Sequence, residues 1–293
     1  MSDKKIVLVT GGAGFVGSHL CEQLVKDDHK VISLDNYFSG SKDNHVAGVE
    51  YREGHTKDIA TIVPESVDLI YHLGEYSRVA PSLEEPEVVW DLNIMGTLSV
   101  LEYWRSRQCK LVYAGSSTKF VNDERSAEIA GRDRAPYNWA KAVNTELVHN
   151  YGRWYDLPYS ISYFYNVYGP RERGGQFDGS YGTIVETFRQ HYLQNQPCLI
   201  HGSGEQTRAF THVADTVSAL CILGERGEAD EYAISAKEVF SLNDLADLFG
   251  LEKTYDEATK STRSSSADDT TKLEALGWQQ QQLLVDYVAE SKK

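Results

Sequence analysis

The stretch IVLVTGGAGFVG, residues 6–17, decides the fold of this chain. Residues 6–9 are four consecutive apolar side chains, which predict a strand buried on both faces of a sheet. Three glycines follow at GxxGxxG spacing, and Leu20 and Leu24 then continue an apolar stripe at helical spacing. The stretch therefore predicts a strand, a tight glycine turn and an amphipathic helix in succession.

A strand, glycine turn and helix in this order are typical of dinucleotide binding. Gly11, Gly14 and Gly17 have separate roles there: a tight turn, close approach of the backbone to phosphate, and close packing of helix on strand. The helix N-terminus offers N–H groups and a partial positive charge to a diphosphate. A second predicted strand, residues 30–34, ends at Asp35, near the spacing of a carboxylate that binds an adenosine ribose. We therefore predict a dinucleotide site.

The composition is that of an ordinary globular protein with an acidic surface. The 293 residues include 29 basic and 43 acidic side chains, a net charge of −14, which argues against nucleic acid or an anionic membrane as partner. The four cysteines form no CxxC pair, and His191, His201 and His212 share no metal-ligand spacing, so we expect reduced thiols and no metal site. No export signal or membrane span is recognisable, so we expect a cytoplasmic protein.

Strand-like and helix-like segments alternate along the first part of the chain. Predicted strands cover residues 67–72, 110–114 and 159–163, and predicted long helices cover residues 90–104 and 137–155. This alternation predicts an α/β protein with a Rossmann-type doubly wound parallel sheet, whose ligands gather at the carboxyl ends of the strands. We predict a dinucleotide-binding domain over residues 1–165, with a returning segment near 209–235. Residues 166–293 are predicted to form mainly a smaller substrate-binding domain.

Tyr137 and Lys141 stand four residues apart at the start of a predicted helix, so their side chains share one face. Such a pair alone is more often a surface contact. Here Ser116 and Ser117 precede it at the carboxyl end of a strand, in a chain that opens with a dinucleotide turn. A cation beside a phenol lowers the phenol's pKa, and a phenolate can accept a hydroxyl proton near neutral pH. We therefore interpret Tyr137 as a general base for alcohol oxidation, with Ser117 positioning the same hydroxyl.

Further motifs occur in a fixed order along the chain. They are TGGAGFVG at Thr10, Asp35-Asn36, Asp58-Ile59, HLG at His72, NIMGT at Asn93, GSS at Gly115, YNWAK at Tyr137, YFYNVYGPR at Tyr163 and QTRAFTHV at Gln206. As a set they resemble the extended short-chain dehydrogenase/reductases that act as NAD-dependent nucleotide-sugar epimerases and dehydratases. The resemblance, which is to the UDP-glucose 4-epimerase type, covers about residues 6–215.

The resemblance implies a tightly held NAD. Asp35 would bind the adenosine ribose, and its carboxylate would repel a 2′-phosphate, which favours NAD over NADP. Asp58 and Ile59 would lie at the adenine. The implied cofactor-binding residues are Gly11, Gly14, Phe15, Val16, Gly17, Asp35, Asn36, Asp58, Ile59, Leu73, Gly74, Asn93 and Lys141.

The resemblance also implies roles in catalysis and substrate binding. Tyr137 would be the base, Lys141 would bind the nicotinamide ribose, and Ser117 would bind the sugar hydroxyl. Asn166 and Arg208 would contact the diphosphate of a nucleotide sugar, since an arginine fork suits phosphate oxygens. The implied substrate-binding residues are Ser117, Thr118, Tyr137, Asn166 and Arg208.

Departures from the family pattern guide the choice of reaction. Sugar 4,6-dehydratases usually carry Asp-Glu after the serine or threonine, whereas this chain has Thr118 and Lys119. We therefore predict a 4-epimerase for a UDP-hexose or UDP-N-acetylhexosamine. The alternatives are a 4,6-dehydratase with an atypical acid/base set that includes Lys119, and a non-catalytic dinucleotide-binding regulator. The residues from Glu75 to Arg78 replace smaller residues near the sugar pocket, and a homodimer through the two long helices is implied.

Overall fold

The computed structural model describes residues 4–117, 131–173, 182–257 and 268–292. The strands in these ranges are β1 (Ile6–Thr10), β2 (Lys30–Asp35), β3 (Val49–Glu53), β4 (Leu69–His72), β5 (Lys110–Ser116), β6 (Tyr159–Phe164), β7 (Val167–Tyr168), β8 (Cys198–His201), β9 (Thr207–Ala209), β10 (Thr211–His212), β11 (Glu231–Ile234), β12 (Val239–Ser241) and β13 (Lys253–Asp256). The helices are α1 (Phe15–Lys26), α2 (Ile59–Ile62), α3 (Pro86–Val89), α4 (Gly96–Arg107), α5 (Pro136–Tyr155), α6 (Ile184–Leu193), α7 (Val213–Arg226), α8 (Leu242–Phe249), α9 (Thr271–Ala275) and α10 (Leu284–Ser291).

Seven strands form the central sheet, in the order β11-β6-β5-β4-β1-β2-β3. The neighbours from β5 to β3 pair in parallel. The central strand β1 is covered on both faces, and its Val7, Leu8 and Val9 are fully buried. A continuous apolar run is stable in such a strand because neither face meets water. The predicted Rossmann-type α/β fold is confirmed.

The turn between β1 and α1 is closed by contacts between backbones. Gly11 has a φ of +75°, and a Cβ on it would lie 2.8 Å from the Cα of Gly74. A Cβ on Gly17 would lie 2.0 Å from the carbonyl oxygen of Gly11. The helix begins at Phe15 after an N-cap, Gly14, that supplies no side-chain hydrogen bond. The turn therefore admits only glycine at its two tightest points, and no N-cap side chain covers the start of α1.

Residues 86–107 are helical throughout, but they are not one regular helix. The π-helical segment Trp90–Met95 separates α3 from α4, so the long helix predicted over residues 90–104 is helical as expected but begins with a π-helical turn. Asn93 lies in this segment, and its side chain bonds both the N–H and the carbonyl oxygen of Tyr76, at 2.6 and 3.0 Å. Hydrogen bonds between residues far apart in the sequence leave no mark on its hydrophobic periodicity. The pattern therefore could not reveal the π-helical segment.

Two compact units divide the chain: Met1–Tyr163 with Val217–Tyr232, and Phe164–Thr216 with Ala233–Lys293. The second unit has a core of its own, in which Phe188 of α6 packs in one cluster with Phe249 of α8. Its short strands form three two-stranded sheets, β10-β7, β12-β9 and β13-β8. Within the ranges described, no helix is long and apolar enough to cross a lipid bilayer.

The backbone contact at Gly17 generates a stability prediction. We expect Gly17→Ala to lower the free energy of unfolding by about 2 kcal/mol or more, because the added methyl group overlaps the Gly11 carbonyl. Gly14→Ala is the matched control, since a Cβ there would lie 3.1 Å from the same oxygen. Urea unfolding curves of the two variants measure the difference. Equal losses in both would contradict the steric account of the turn.

Candidate active site

Several predicted site residues lie at one edge of the central sheet. Thr10 at the end of β1 pairs in register with Leu34 and with His72, so the carboxyl ends of β1, β2 and β4 are level. Residues that directly follow these ends therefore meet at the same edge. The structure places the glycine turn, Asp35 and the Leu73-Gly74 turn together there.

Asp35 ends β2 and is almost fully buried beside the glycine turn. Its carboxylate accepts hydrogen bonds from the N–H groups of Ala13, at 2.9 Å, and Tyr37, at 2.8 Å. Burial raises the pKa of Asp35, and these two backbone bonds oppose that shift. The next residue, Asn36, accepts a bond from the N–H of Phe38 at 3.1 Å. A carboxylate held at the glycine turn suits recognition of ribose hydroxyls, which donate to it.

The residues at this edge fit a dinucleotide. The turn has no side chain in the places where Gly11 and Gly17 touch backbone, and α1 starts without a capping side chain. A diphosphate at this point would receive the first N–H groups of α1, and Asp35 would take the ribose. Asp58 ends a short 3-10 turn directly before α2, and Ile59 at the start of α2 is buried.

Tyr137 lies in the first turn of α5, which starts at Pro136, a residue suited to a helix N-terminus. Its ring is buried, and its hydroxyl donates to the Oγ of Ser116 at 3.3 Å. Ser116 is the last residue of β5. Ser117, which is predicted to bind the sugar hydroxyl, follows Ser116 and is half-buried. Thr118 and Lys119 lie outside the described residues.

Lys141 follows Tyr137 by one turn of α5 and is also buried. Its ammonium donates to the carboxylate of Glu75 and to the carbonyl oxygen of Ala114, and lies 3.5 Å from the hydroxyl of Tyr113. Burial is the largest influence on Glu75 and by itself would raise its pKa, but the Lys141 ammonium, together with His72 and the hydrogen bond from Thr97, lowers the net pKa of Glu75. The pair is therefore an ion pair in a site from which water is excluded.

A chain of hydrogen bonds joins this ion pair to Thr10, the last residue of β1 before the glycine turn. The Nδ1 of His72 lies 2.7 Å from the Oγ1 of Thr10, and its Nε2 lies 2.9 Å from the Oγ1 of Thr97. Thr97 in turn donates to Glu75 at 2.9 Å. Complete burial lowers the pKa of His72 to about 4, so His72 is neutral near pH 7. The Thr10 hydroxyl also accepts a bond from the N–H of Gly74 at 3.1 Å.

Asn166 and Arg208 belong to the second unit. Asn166 has a φ of +41°, and its Nδ2 donates to the carbonyl oxygen of Ala209 at 2.8 Å. Arg208 lies on β9, is partly buried, and donates to the carbonyl oxygen of Thr207 at 3.3 Å. Their predicted contacts with a diphosphate stay predictions.

Sequence reasoning missed two features of the site. The hydrogen bond from Tyr137 to Ser116 was not predicted, and the predicted role of Ser117 on the substrate hydroxyl stays a prediction. Glu75 was noticed only as a departure near the sugar pocket, whereas it is the buried partner of Lys141. One signal was available: a carboxylate three residues after a buried strand, at the edge where the other site residues collect. Among the described residues, no three His, Cys, Asp or Glu side chains are grouped so as to hold a metal ion.

This fold and this tyrosine–lysine site define the class of extended short-chain dehydrogenase/reductases. Residues 7–235 match the NAD dependent epimerase/dehydratase family. The chain belongs to that family, and its cofactor is NAD.

Individual relatives carry several activities. The chain is 31% identical over 288 residues to a Methanocaldococcus jannaschii protein named provisionally as a UDP-glucose 4-epimerase, covering 93% of this chain and 92% of that protein. It is 33% identical over 231 residues to UDP-glucuronic acid decarboxylase 1 of Xenopus tropicalis, covering 75% of this chain and 54% of that protein.

Two solved structures of UDP-glucose 4-epimerases are similar to this chain over nearly its whole length. UDP-glucose 4-epimerase of Thermotoga maritima, with UDP-glucose, has a TM-score of 0.87 at 26% identity and covers 97% of this chain and 96% of that one. UDP-glucose 4-epimerase of Thermus thermophilus, in complex with NAD, has a TM-score of 0.84 at 25% identity, with 97% of this chain and 96% of that one covered.

The buried His72 predicts a pH dependence of stability. Its pKa is about 4 in the folded protein and about 6.5 in an unfolded chain, so only the unfolded chain takes up the proton between these values. The contribution of His72 to stability is therefore complete above about pH 6.5 and falls by up to roughly 1.4 kcal/mol per pH unit toward pH 4. We expect His72→Gln to have a shallower slope of unfolding free energy against pH in this window. The exposed His201→Gln is the control, and equal slopes in His72→Gln and wild type would contradict the account.

Proposed function

We propose that this protein is an NAD-dependent nucleotide-sugar 4-epimerase that acts on a UDP-hexose or a UDP-N-acetylhexosamine. The observation that carries the proposal is the contact of the Tyr137 and Ser116 hydroxyls at 3.3 Å, one helical turn from the buried Lys141. A tyrosine held this way can exchange a proton with a sugar hydroxyl. The Methanocaldococcus jannaschii and Thermotoga maritima relatives support the epimerase assignment.

The chemistry would be a transient oxidation of the sugar at C4. Bound NAD would supply the acceptor and donor of hydride. Tyr137 would remove the proton of the O4 hydroxyl as hydride leaves C4, which balances the loss of two electrons and two hydrogens. Ser117 would hold the sugar hydroxyl and Ser116 would hold the Tyr137 hydroxyl, so that the two groups lie close enough to exchange a proton. The 4-keto sugar would then rotate so that its opposite face is presented. Tyr137 would return the proton as hydride adds to that face, and no net redox change would result.

We propose further roles for Lys141, and separately for Asn166 and Arg208. We propose that Lys141 binds the nicotinamide ribose and that its charge favours the phenolate of Tyr137. Asn166 and Arg208 would hold the diphosphate of the nucleotide sugar. Arginine suits this role because its planar fork can form paired bonds to phosphate oxygens. These assignments follow the family motifs at the same positions.

The main rival is a 4,6-dehydratase with an atypical acid/base set. Elimination of water across C5 and C6 needs an acid and a base in addition to the tyrosine, and the chain has Thr118 and Lys119 in place of the usual Asp-Glu. The lack of that carboxylate pair favours epimerisation. A non-catalytic regulator is the second rival, and the retention of both Tyr137 and Lys141 argues against it.

A substrate panel tests the reaction. Purified protein with NAD is incubated with UDP-glucose, UDP-N-acetylglucosamine and UDP-glucuronic acid, and products are identified by NMR. We expect the C4 epimer of at least one hexose donor, with NAD recovered unchanged. A 4-keto-6-deoxy sugar would establish the dehydratase instead, and release of carbon dioxide from the uronic acid would establish a decarboxylase. A mixture with no reaction and no reduction of NAD would favour the regulator.

Tyr137→Phe tests the base. We expect kcat to fall by about 10³-fold, within the range of general base catalysis, while NAD still binds. Tyr155→Phe is the matched control, because Tyr155 ends the same helix and is 41% exposed. The ratio of initial rates on the active donor measures the effect. Equal rates for wild type and Tyr137→Phe would remove Tyr137 from the mechanism.

We also propose a cytoplasmic homodimer that forms through the π segment, α4 and α5. Trp90 and Trp139 are each 38% exposed and pack against each other edge to face, with ring centroids 5.6 Å apart, and Trp154 is 62% exposed. Exposed aromatic side chains of this kind are typical of association surfaces.

Light scattering tests the homodimer. We expect a mass of twice 32.9 kDa for the wild-type protein. Trp154→Glu should shift the population toward monomer, because it buries a charge in the apolar contact. Tyr255→Glu, at a residue of the second unit that is 54% exposed, is the control. A wild-type mass of one chain would contradict the proposal.

A further inference from the structure

Glu75 is a buried carboxylate whose hydrogen-bonding capacity is largely filled. Its side chain is 2% exposed and that of its ion-pair partner Lys141 is 6% exposed. Besides the ammonium, three neutral donors reach its oxygens: Thr97 at 2.9 Å, Asn144 at 2.8 Å and Tyr113 at 3.2 Å. They come from α4, α5 and β5, so three elements converge on one carboxylate.

The charges in this cluster are limited to one pair. The other titratable groups that face the pair among the described residues are His72, Tyr113 and Tyr137. Burial lowers the pKa of His72 to about 4 and raises the pKa of Tyr113 well above its usual value, so both side chains are neutral near pH 7. The nearest compensating charge for the ammonium of Lys141 is therefore the carboxylate of Glu75.

Stability alone is a weak reason for such a pair. Two charges lose their hydration when they are buried, and a buried ion pair is often no more stabilising than well-packed apolar side chains of similar volume. The pair sits instead where its position has a chemical consequence. Lys141 contacts the carbonyl oxygen of Ala114 and lies one helical turn from Tyr137.

We propose that Glu75 is a positioning residue, which keeps Lys141 charged and fixed against the Ala114 carbonyl so that its charge acts on Tyr137. Glu75 works through Lys141 and does not itself touch substrate. The inference rests on the proposed function only for its catalytic consequence. The claim about the charge of Lys141 is independent of which nucleotide sugar is used.

The physical consequence of removing the carboxylate follows from burial. A buried ammonium without a counter-ion is disfavoured relative to the neutral amine, so it gives up its proton at a lower pH. A neutral amine no longer favours the phenolate. Loss of Glu75 should therefore impair proton abstraction most at alkaline pH and least at acid pH, where the ammonium is restored.

The first experiment reads the charge of Lys141 without any substrate. Protein with NAD is labelled with carbon-13 at lysine Cε, and the Lys141 resonance is assigned by its absence in Lys141→Met. We expect the resonance to titrate in Glu75→Gln at a pH lower than in wild type by about two to three units. Glu186→Gln is the matched control, since Glu186 is a buried carboxylate paired with Arg189 in the second unit. Identical titration of Lys141 in Glu75→Gln and wild type would overturn the proposal.

The second experiment reads the effect on chemistry. The initial reduction of bound NAD by the active nucleotide sugar is followed by absorbance from about pH 6 to about pH 9. We expect the rate of Glu75→Gln relative to wild type to be about ten-fold lower at the alkaline end than at the acid end, with KM for the sugar little changed. A purely structural role would lower the rate by a factor that does not vary with pH, and that result would overturn the proposal.

Glu75→Asp covers the case in which Glu75→Gln does not fold. The shorter side chain of Glu75→Asp keeps the negative charge but moves it away from Lys141 by the length of one methylene group. We therefore expect Lys141 to stay charged but to be less well positioned, so that the rate of NAD reduction falls. Wild-type rates at every pH in Glu75→Asp would contradict the positioning role. If no sugar reduces NAD, the proposed function fails and the resonance of Lys141 still decides this inference. If epimerisation occurs but the resonance is unchanged, only this inference fails.

Discussion

The contact between two backbone turns is the constraint on which the site depends. Gly11 and Gly74 approach so closely that neither could carry a side chain without displacing the other. This contact brings the turn after β1 against the turn after β4, and α1 starts beside it without a capping side chain. We therefore propose that a diphosphate bound here would meet N–H groups rather than side chains, which matters in a protein whose net charge of −14 would otherwise repel it.

The same edge carries the charged part of the site. β4 supplies His72 and, just beyond it, Glu75, while β5 ends at Ser116 and α5 presents Tyr137 and Lys141. Neutral hydrogen-bonding groups link these residues from the glycine turn to the ion pair. A continuous buried network of this kind is rigid, because each group would lose its partner if another moved. Tyr137 is buried on α5, the helix that also carries Lys141, so it is held by the core of the first unit rather than by a loop.

Much of this arrangement could be predicted from the sequence, because it is local. The apolar run and glycine spacing specify the strand, turn and helix, and the four-residue spacing places Tyr137 and Lys141 on one face. What could not be predicted depends on contacts between distant residues. The π-helical segment carries Asn93, whose side chain bonds Tyr76 at 17 positions' distance, and the pairing of Glu75 with Lys141 spans 66 positions. The bond of Tyr137 to Ser116 joins α5 to the end of β5, and periodicity does not reveal such a contact between separate elements.

A crystal structure of the protein with bound NAD tests the central claim most directly. The account predicts that the diphosphate lies over the glycine turn at the start of α1, that the adenosine ribose meets Asp35, and that the nicotinamide ring lies beside the hydroxyl of Tyr137. A nicotinamide ring remote from Tyr137, or a diphosphate bound away from Gly11 and Gly14, would contradict it.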